Sequence, residues 1–297
     1  MLDFDMSTLE LVTDGLRFPE GPVALSDGSV MVAEIRGNSV ARVAPDGSVT
    51  RHECAPGPNG MAIGPDGMAY VMSDGGLAFV EDEDGLSFPE GLADPFVGGV
   101  IERMHPETGA IELLYETVDG HHLGVLNDCV FDKSGAGHVV DTVYGKVYRF
   151  DPSGGSISTV AADFFTPNGL AFSPDGTNAY VSETETGKVW RLPVGSDGSL
   201  GEKEELFELG VPGGFDGMAI DGQGNLCIAQ LGASGILVLS PEGEKLGFVQ
   251  VPDGDKFVTR ICFGGEDMRD AWICSAGRGR LYRMRWPHPG LKLHFNR

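Results

Sequence analysis

Six polar residues recur along the chain, each followed at once by a short apolar run. The copies that begin at Pro58, Pro167 and Phe215 are nearly identical in form, and five of the six polar residues are followed eight positions later by a glycine. If the six side chains converge, two carboxylates face several amide oxygens. Crowded carboxylates repel one another unless a cation or a proton lies between them. We call the six positions the pivots: Glu20, Asn59, Asn127, Asn168, Asp216 and Arg260.

The chain that follows each pivot predicts a small antiparallel sheet. After the first pivot, Asp-Gly turns separate short apolar or alternating runs, a pattern typical of strands joined by tight hairpins. The predicted strands of this unit are residues 23–25, 29–34, 39–44 and 48–53. The pivots lie 39 to 68 residues apart along the 297-residue chain, which favours a repeat architecture.

The sixth unit lacks a fourth strand of its own, and the apolar residues 9–12 can supply it from the N-terminus. Such pairing closes a ring of sheets and removes their exposed edges. We therefore predict an all-β fold: one domain over residues 1–297, a six-bladed β-propeller of four-stranded blades with very little helix. Residues 75–98 form a predicted irregular insertion in the second blade, projecting from one end. The first strand of each blade lines the channel, so the pivots gather at one end of it.

The predicted cluster has the chemistry of a site for a hard cation. A single Asn before a strand is commonly only a turn residue, so the hypothesis rests on the set. Glu20, Asn127, Asn168 and Asp216 would present two carboxylates and two amide oxygens, with no His or Cys. Such ligands suit Ca²⁺ best, since it accepts six or more oxygens in loose geometry. Mg²⁺, Mn²⁺, Fe²⁺ and Zn²⁺ are the other divalent cations considered.

The motifs resemble those of a known family. From about residue 9 to residue 285, the chain is similar to the gluconolactonase, regucalcin and senescence-marker-protein family of six-bladed propeller hydrolases, and to the related diisopropylfluorophosphatase. The resemblance rests on FPEGP (18–22), LNDC (126–129), PNGLAF (167–172), DGMAID (216–221) and FGG (263–265), in order and at blade spacing.

The resemblance implies residue roles. It implies a divalent cation, usually Ca²⁺, held by Glu20, Asn168 and Asp216, with Asn127 as a fourth ligand or a substrate contact. The cation polarises a carbonyl or phosphoryl oxygen, and Asp216 acts as general base or as nucleophile.

The chain departs from the family at two places. Val125 stands where sugar lactonases of the regucalcin type carry an Arg that binds substrate hydroxyls, and Arg260 stands where the sixth pivot is usually Asn. Both changes predict a preference away from polyhydroxylated lactones. Arg260 either contacts substrate or pairs with a channel carboxylate. The predicted substrate contacts are Asn59, Asn127, Arg260 and His122. His121 and His122 are either proton carriers near the mouth or an exposed loop pair.

These observations predict a metal-dependent lactonase acting on a small lactone or ester. Two alternatives stay open: a phosphotriester or fluorophosphate hydrolase of the diisopropylfluorophosphatase type, and a non-catalytic calcium-binding propeller. The segments 127–132 and 182–184 resemble the phosphotriesterase relative more closely.

Composition limits the binding partners and the cellular compartment that we expect for the protein. The formal net charge is −23, which disfavours nucleic acid and anionic membranes as partners. Residues 1–5 lack the basic start of a signal peptide, and no apolar run approaches a membrane span. Five cysteines without a CxxC motif predict free thiols in the reducing cytoplasm.

Overall fold

The computed structural model describes residues 1–210 and 214–296, which form six four-stranded antiparallel sheets arranged as a six-bladed β-propeller. In chain order the strands are Glu10–Thr13 (β1), Pro19–Ala24 (β2), Val30–Glu34 (β3), Ser39–Val43 (β4), Val49–Glu53 (β5), Pro58–Ile63 (β6), Ala69–Ser73 (β7), Leu77–Glu81 (β8), Ser87–Leu92 (β9), Ile101–Met104 (β10), Ile111–Tyr115 (β11), Thr117–Val118 (β12), His121–His122 (β13), Leu126–Phe131 (β14), Gly137–Asp141 (β15), Lys146–Phe150 (β16), Ile157–Ala161 (β17), Pro167–Phe172 (β18), Asn178–Glu183 (β19), Lys188–Pro193 (β20), Glu204–Glu208 (β21), Phe215–Ile220 (β22), Leu226–Gln230 (β23), Gly235–Leu239 (β24), Lys245–Gln250 (β25), Val258–Gly264 (β26), Asp270–Ser275 (β27) and Arg280–Arg285 (β28).

The blades follow one another around a central channel. Strands β2–β5 form blade 1, β6, β7, β10 and β11 form blade 2, and β14–β17 form blade 3. Strands β18–β21 form blade 4, β22–β25 form blade 5, and β26–β28 with β1 form blade 6. The first strands of neighbouring blades contact one another all the way around, so they line the channel.

The N-terminal strand closes the ring, as predicted. Glu10 pairs with Arg283 and Leu11 with Tyr282 in antiparallel register. Behind this seam, Val32 and Ala41 of blade 1 share a fully buried apolar cluster with Leu281 of blade 6. The closure therefore covers the edge of the last blade and is backed by apolar packing between the first and last blades.

Helix is limited to three short 3₁₀ turns in the described chain, Met6–Thr8, Ile35–Gly37 and Pro252–Gly254, which confirms the prediction of very little helix. No helix within the two described ranges is both long and apolar enough to span a bilayer. The five cysteines are free and three of them are buried, as predicted for thiols in strands.

One turn recurs in every blade and explains the spacing of the glycines. Eight residues after each pivot the backbone enters the left-handed region, which non-glycine residues rarely adopt. The φ values are 84° at Gly28, 78° at Gly67, 88° at Gly135, 70° at Gly176, 85° at Gly224 and 57° at Met268. Met268 therefore makes the same turn as the five glycines, and the sixth unit is a genuine repeat.

The pivots lie inside the first strands, which corrects the expectation that they precede them. Glu20, for example, is the second residue of β2, and the register with β3 shifts between Glu20 and Val23. The register shifts near the pivot in all six blades. Such an irregularity re-aims a side chain out of the ladder, so the local backbone directs each pivot at the channel end.

The insertion in blade 2 is more ordered than predicted. Strands β8 and β9 pair with each other as a hairpin, where the sequence had indicated irregular chain. The hairpin crosses the loops of blades 1 and 6: Ser87 N donates to Gly277 O at 3.0 Å. Phe79 packs edge-on against Phe18 at 4.9 Å, and Phe88 stacks on Phe257 at 5.7 Å. The insertion thus stands over one side of the pivot end.

The C-terminal tail crosses the opposite end of the channel. Gly222 N donates to Pro289 O at 2.7 Å, and Leu291 N donates to Ile220 O at 2.9 Å. The ring of Phe295 then reaches Phe131 of blade 3 at 6.1 Å. The tail therefore runs from blade 5 toward blade 3 and covers the end farthest from the pivots.

Candidate functional site

All six pivots are buried at one end of the channel, and none is more than 8% exposed. The glycine that follows several of them allows this crowding. A Cβ on Gly21 would lie 2.3 Å from Asn59 O, and one on Gly60 would lie 2.2 Å from Asn127 O. Only glycine lets adjacent first strands approach so closely, which explains why pivot and glycine occur together in the sequence.

Two of the pivots are carboxylates whose negative charges repel each other. Burial raises the pKa of Asp216 well above its ordinary value, and the nearby charge of Glu20 raises it further. Burial also raises the pKa of Glu20, although the Arg260 guanidinium opposes the shift. The pair therefore resists double ionisation unless a positive charge joins it, as expected for carboxylates held close in a dry site.

The site also contains buried oxygen atoms that accept no hydrogen bond from any described residue. Within residues 1–210 and 214–296, four buried pivot oxygens have no hydrogen-bond partner: Glu20 Oε1, Asn59 Oδ1, Asn127 Oδ1 and Asn168 Oδ1. Leaving a buried polar atom unpaired costs about 1–3 kcal/mol, so these four oxygens are available to accept from a ligand or to bind a cation.

The donor set fits a hard divalent cation. Two carboxylates and the amide oxygens supply only oxygen ligands, which suits Ca²⁺ or Mg²⁺. Among the described residues no group of three or more His, Cys, Asp or Glu side chains is arranged to hold a metal ion, so a cation at the pivots would depend on the amide oxygens as well as the two carboxylates.

Blade 4 fixes the orientation of one of these amides. Asn168 Nδ2 donates to Thr184 Oγ1 at 3.1 Å, and Thr184 Oγ1 donates in turn to Phe215 O at 2.9 Å. Ser182 Oγ accepts from Gly169 N at 2.8 Å and donates to Asp216 O at 2.9 Å. These bonds hold the Asn168 nitrogen on Thr184 and leave its Oδ1 to the site.

Asp128 is a third channel carboxylate that the sequence analysis missed. It is fully buried, and its Oδ2 accepts from Leu170 N at 3.1 Å and Met218 N at 3.4 Å. Its Oδ1 forms an ion pair with Arg260 Nη1. One signal was available: Asp128 occupies the position after the pivot that is glycine in four of the copies.

The ion pair gives Arg260 a channel carboxylate as a partner, which was one of the two alternatives for this pivot. It links blade 6 to blade 3, and through the Asp128 Oδ2 bonds to blades 4 and 5. Asp128 thus ties four blades together immediately beside the pivots.

Asp74, at the root of the insertion, was also missed. Its Oδ1 accepts from Gly76 N at 2.7 Å, while its Oδ2 is buried without a partner in the described chain. Burial raises the pKa of Asp74 to about 7, and hydrogen bonds from Gly76 and Asn59 oppose the rise. Asp74 thus adds a titratable group next to the second pivot.

The remaining predicted residues lie at the mouth. His121 and His122 form strand β13, with His121 half-buried and His122 exposed. His121 Nδ1 lies 3.0 Å from His122 O, and its ring lies 5.2 Å from that of Tyr144. Val125 is buried and its carbonyl accepts from Thr142 N at 2.9 Å. The histidines thus belong to a small ribbon on the pivot side.

Comparison with known proteins identifies the family of the chain. The family model for the SMP-30/Gluconolactonase/LRE-like region matches residues 18–277. A gluconolactonase of Zymomonas mobilis is 28% identical over 300 residues, covering 88% of this chain and 77% of the relative.

Solved structures share the fold. A gluconolactonase from Xanthomonas campestris superposes with a TM-score of 0.74 at 22% identity, covering 94% of this chain and 89% of its own. A calcium-binding regucalcin from Agrobacterium tumefaciens superposes with a TM-score of 0.70 at 20% identity, covering 94% and 95%. Because the family model matches most of the chain and spans all six pivots, the chain belongs to the SMP-30/gluconolactonase/LRE-like family.

Proposed function

We propose that the protein is a divalent-metal-dependent hydrolase of cyclic esters, a lactonase. The observation that carries the proposal is the set of four unpaired buried oxygens beside two carboxylates of raised pKa. Relatives named as gluconolactonase and 6-deoxy-6-sulfogluconolactonase support a lactone as the substrate.

Glu20, Asn127, Asn168 and Asp216 would hold the cation, with Ca²⁺ as the preferred ion. When bound, the cation supplies Lewis acidity toward the ester carbonyl. Thr184 keeps the Asn168 oxygen directed at the site, since it binds the amide nitrogen. Asn59, whose Oδ1 is free, and Asn127 would orient the substrate by hydrogen bonding, and His122 would contact it from the mouth.

Asp216 is the proposed catalytic residue. As general base it removes a proton from water while the water oxygen bonds to the acyl carbon, the ring C–O bond breaks, and the ring oxygen leaves with a proton as a hydroxyl. As nucleophile it would instead bond to the acyl carbon to form an anhydride, with the ring oxygen leaving as a hydroxyl, and water would then attack Asp216 Cγ and release the acid. Both routes give the same open hydroxy acid. A single turnover in H₂¹⁸O distinguishes them, because only the second can place label in Asp216.

The proposed substrate is a lactone with few hydroxyl groups. Val125 offers an apolar surface, and the charge of Arg260 is already matched by Asp128. Exposed apolar side chains also lie in loops on the pivot side, including Val143, Tyr144 and Phe165. Val125 offers no donor where a hydroxyl-binding Arg would stand, so substrate hydroxyls there lose their hydrogen bonds to water without replacement.

A phosphotriester hydrolase is the second candidate. The observation that favours it is the likeness of segments 127–132 and 182–184 to the phosphotriesterase relative; Asp128 Oδ2 and Ser182 Oγ both accept from backbone N–H groups of β18, those of Leu170 and Gly169. A non-catalytic calcium-binding propeller is the third. The free thiols favour a cytoplasmic location for any of these functions.

The deciding experiment is a pH-indicator screen of lactones, aryl esters and fluorophosphates with Ca²⁺, Mg²⁺ or Mn²⁺, and again with chelator. We expect chelator-sensitive hydrolysis of lactones, with sparsely hydroxylated rings turned over faster than gluconolactone or xylonolactone. Turnover only of fluorophosphates would favour the second candidate. Metal-dependent stabilisation without any turnover would favour the third.

A further inference from the structure

A second cavity lies at the end of the propeller opposite the pivots. Its volume is about 360 Å³, and it opens between blades 3 and 4 beneath the C-terminal tail. The turns that line it follow β14, β18 and β20, so it shares no pivot with the candidate active site. A cavity of this size falls in the range of small-molecule sites.

The floor of the cavity is apolar. Phe131, Phe172, Val194 and Leu293 contribute to the lining, and the two phenylalanines come from the inner strands of adjacent blades. Leu293 belongs to the tail, so the tail completes the wall. This floor suits a hydrocarbon chain or ring, because burial against it removes apolar surface from water.

The rim is cationic on a strongly acidic protein. Lys133, Arg149 and Lys292 line the cavity, together with His294. Within the described residues neither lysine has an acidic partner. Arg149 Nη2 reaches Ser134 Oγ at 3.3 Å, and its buried Nε has no hydrogen bond in the described chain. The two lysine ammonium groups therefore have no acidic partner among the described residues of the rim, while Arg149 is already paired in part with Asp132.

Two acids also line the cavity, and both are engaged. Asp132 Oδ1 accepts from Ser134 N and Oγ at 2.7 and 2.5 Å, and its Oδ2 lies 3.7 Å from Arg149 Nε. Asp197 Oδ1 accepts from Ser199 N and Oγ at 3.0 and 2.6 Å. Burial lowers the pKa of His138, behind Asp132, to about 4, so this imidazole adds no charge near pH 7.

We propose that this cavity binds an amphipathic organic monoanion, such as a medium-chain carboxylate. The hydrocarbon lies on the apolar floor and the carboxylate is held by Arg149 with Lys133 and Lys292. A guanidinium offers the paired donors that a planar carboxylate accepts. Three cations against two acids leave the rim with one surplus positive charge, and the overall charge of −23 repels multiply charged anions.

The test uses the full-length, Ca²⁺-loaded protein with sodium octanoate as probe. Calorimetric titration and thermal melts should show binding that raises Tm with the logarithm of octanoate concentration and weakens with added salt. Butyrate, with too short a chain, and 1-octanol, with no charge, should each bind at least about tenfold more weakly, since each lacks one half of the contact.

Two double variants test where octanoate binds. The double substitution Lys133→Gln with Lys292→Gln should weaken octanoate binding at least about tenfold. Lys146→Gln with Lys256→Gln is the matched control, since it removes the same charge from the pivot side and should change affinity less than about twofold. Lys146 begins β16 and Lys256 precedes β26, both on the pivot side.

Several outcomes would overturn the proposal. Equal binding of 1-octanol would reduce the cavity to an apolar patch. Octanoate affinity unchanged in the Lys133 and Lys292 double variant would place the carboxylate elsewhere, the cation at the pivots included. An equal loss in the control would indicate only overall charge. Absence of binding at any soluble octanoate concentration would show that the cavity does not bind this ligand.

Discussion

The two ends of the channel are built from the same six strands and have opposite chemistry. At one end the strands present the pivots, with unpaired oxygens and carboxylates of raised pKa. A few residues further along they present apolar side chains, among them Val23, Met61 and Leu170, around an enclosed space of about 60 Å³. Leu291 and Leu293 of the tail complete that space. Along each of these strands, the side chains are therefore polar at the pivot end and apolar a few residues further on.

The difference shows how the fold keeps the polar side chains at one end of the channel. The irregular register at the pivots turns polar side chains toward one another, whereas the regular ladder below packs apolar side chains to the axis. The tail crosses the apolar end, so we expect substrate to reach the channel from the pivot end. We therefore expect substitutions at the pivot end to change chemistry, metal affinity or pH dependence, and substitutions at the tail end to change stability or octanoate binding without changing the chemistry at the pivots.

The largest effect should come from Asp216→Asn. The amide keeps an oxygen for the metal but cannot accept the proton or attack, and losing a general base costs about a hundred- to ten-thousand-fold in rate. Glu20→Gln is the comparison variant, since it should weaken metal affinity and regain activity at high metal. Turnover of the best lactone across a metal titration separates the two. Full rescue of Asp216→Asn by metal would make Asp216 only a ligand, and His121 and His122 would become the candidate bases.

The next effect concerns the ion pair that ties four blades together. Asp128→Ala removes the ion-pair partner of the buried Arg260 and leaves it only the charge of Glu20, which should cost about 3–5 kcal/mol in the free energy of unfolding. The double substitution Asp128→Asn with Arg260→Met removes both charges, keeps an acceptor for Leu170 N and Met218 N, and should recover most of that loss. Urea denaturation in the presence of chelator measures both. A single variant as stable as the parent would show that the pair adds nothing to the fold.

Asp74 should give the pivot end its own pH dependence. The folded protein holds the proton up to about pH 7, whereas the ordinary carboxyl pKa is 3.8, so stability from this group is fully present at low pH and is lost as pH rises through that window. Asp74→Asn should therefore flatten the fall in Tm between about pH 4 and pH 7. Glu20 and Asp216 contribute slopes of the same sign in both proteins, so the difference isolates Asp74. Parallel curves for parent and variant would contradict the assignment.

Whether a feature could be predicted from the sequence depended on whether it recurs in the repeat. The blades, their turns and the pivots were predictable because each recurs six times, and even Met268 fell into the pattern of the glycines. Asp128 and Asp74 were missed because each occurs once, so no spacing marks them. The β8–β9 hairpin was missed because its strands pair only with each other and break the repeat. The position of the tail was missed because the alternating residues Leu291, Leu293 and Phe295 occur once and match no unit of the repeat.

The smallest effect should come from the tail, and it completes the comparison. Phe295 is half-buried against Phe131 and two blade clusters, so Phe295→Ala should cost about 1–2 kcal/mol by loss of buried apolar surface. Because the pivots lie at the other end, kcat, KM and metal affinity should stay within about twofold of the parent. Urea denaturation and lactone turnover on one preparation test both halves, with Phe295→Leu as the conservative control. A large change in metal affinity with stability intact would show that the tail acts on the pivots through the channel, and the two ends would then be one functional unit.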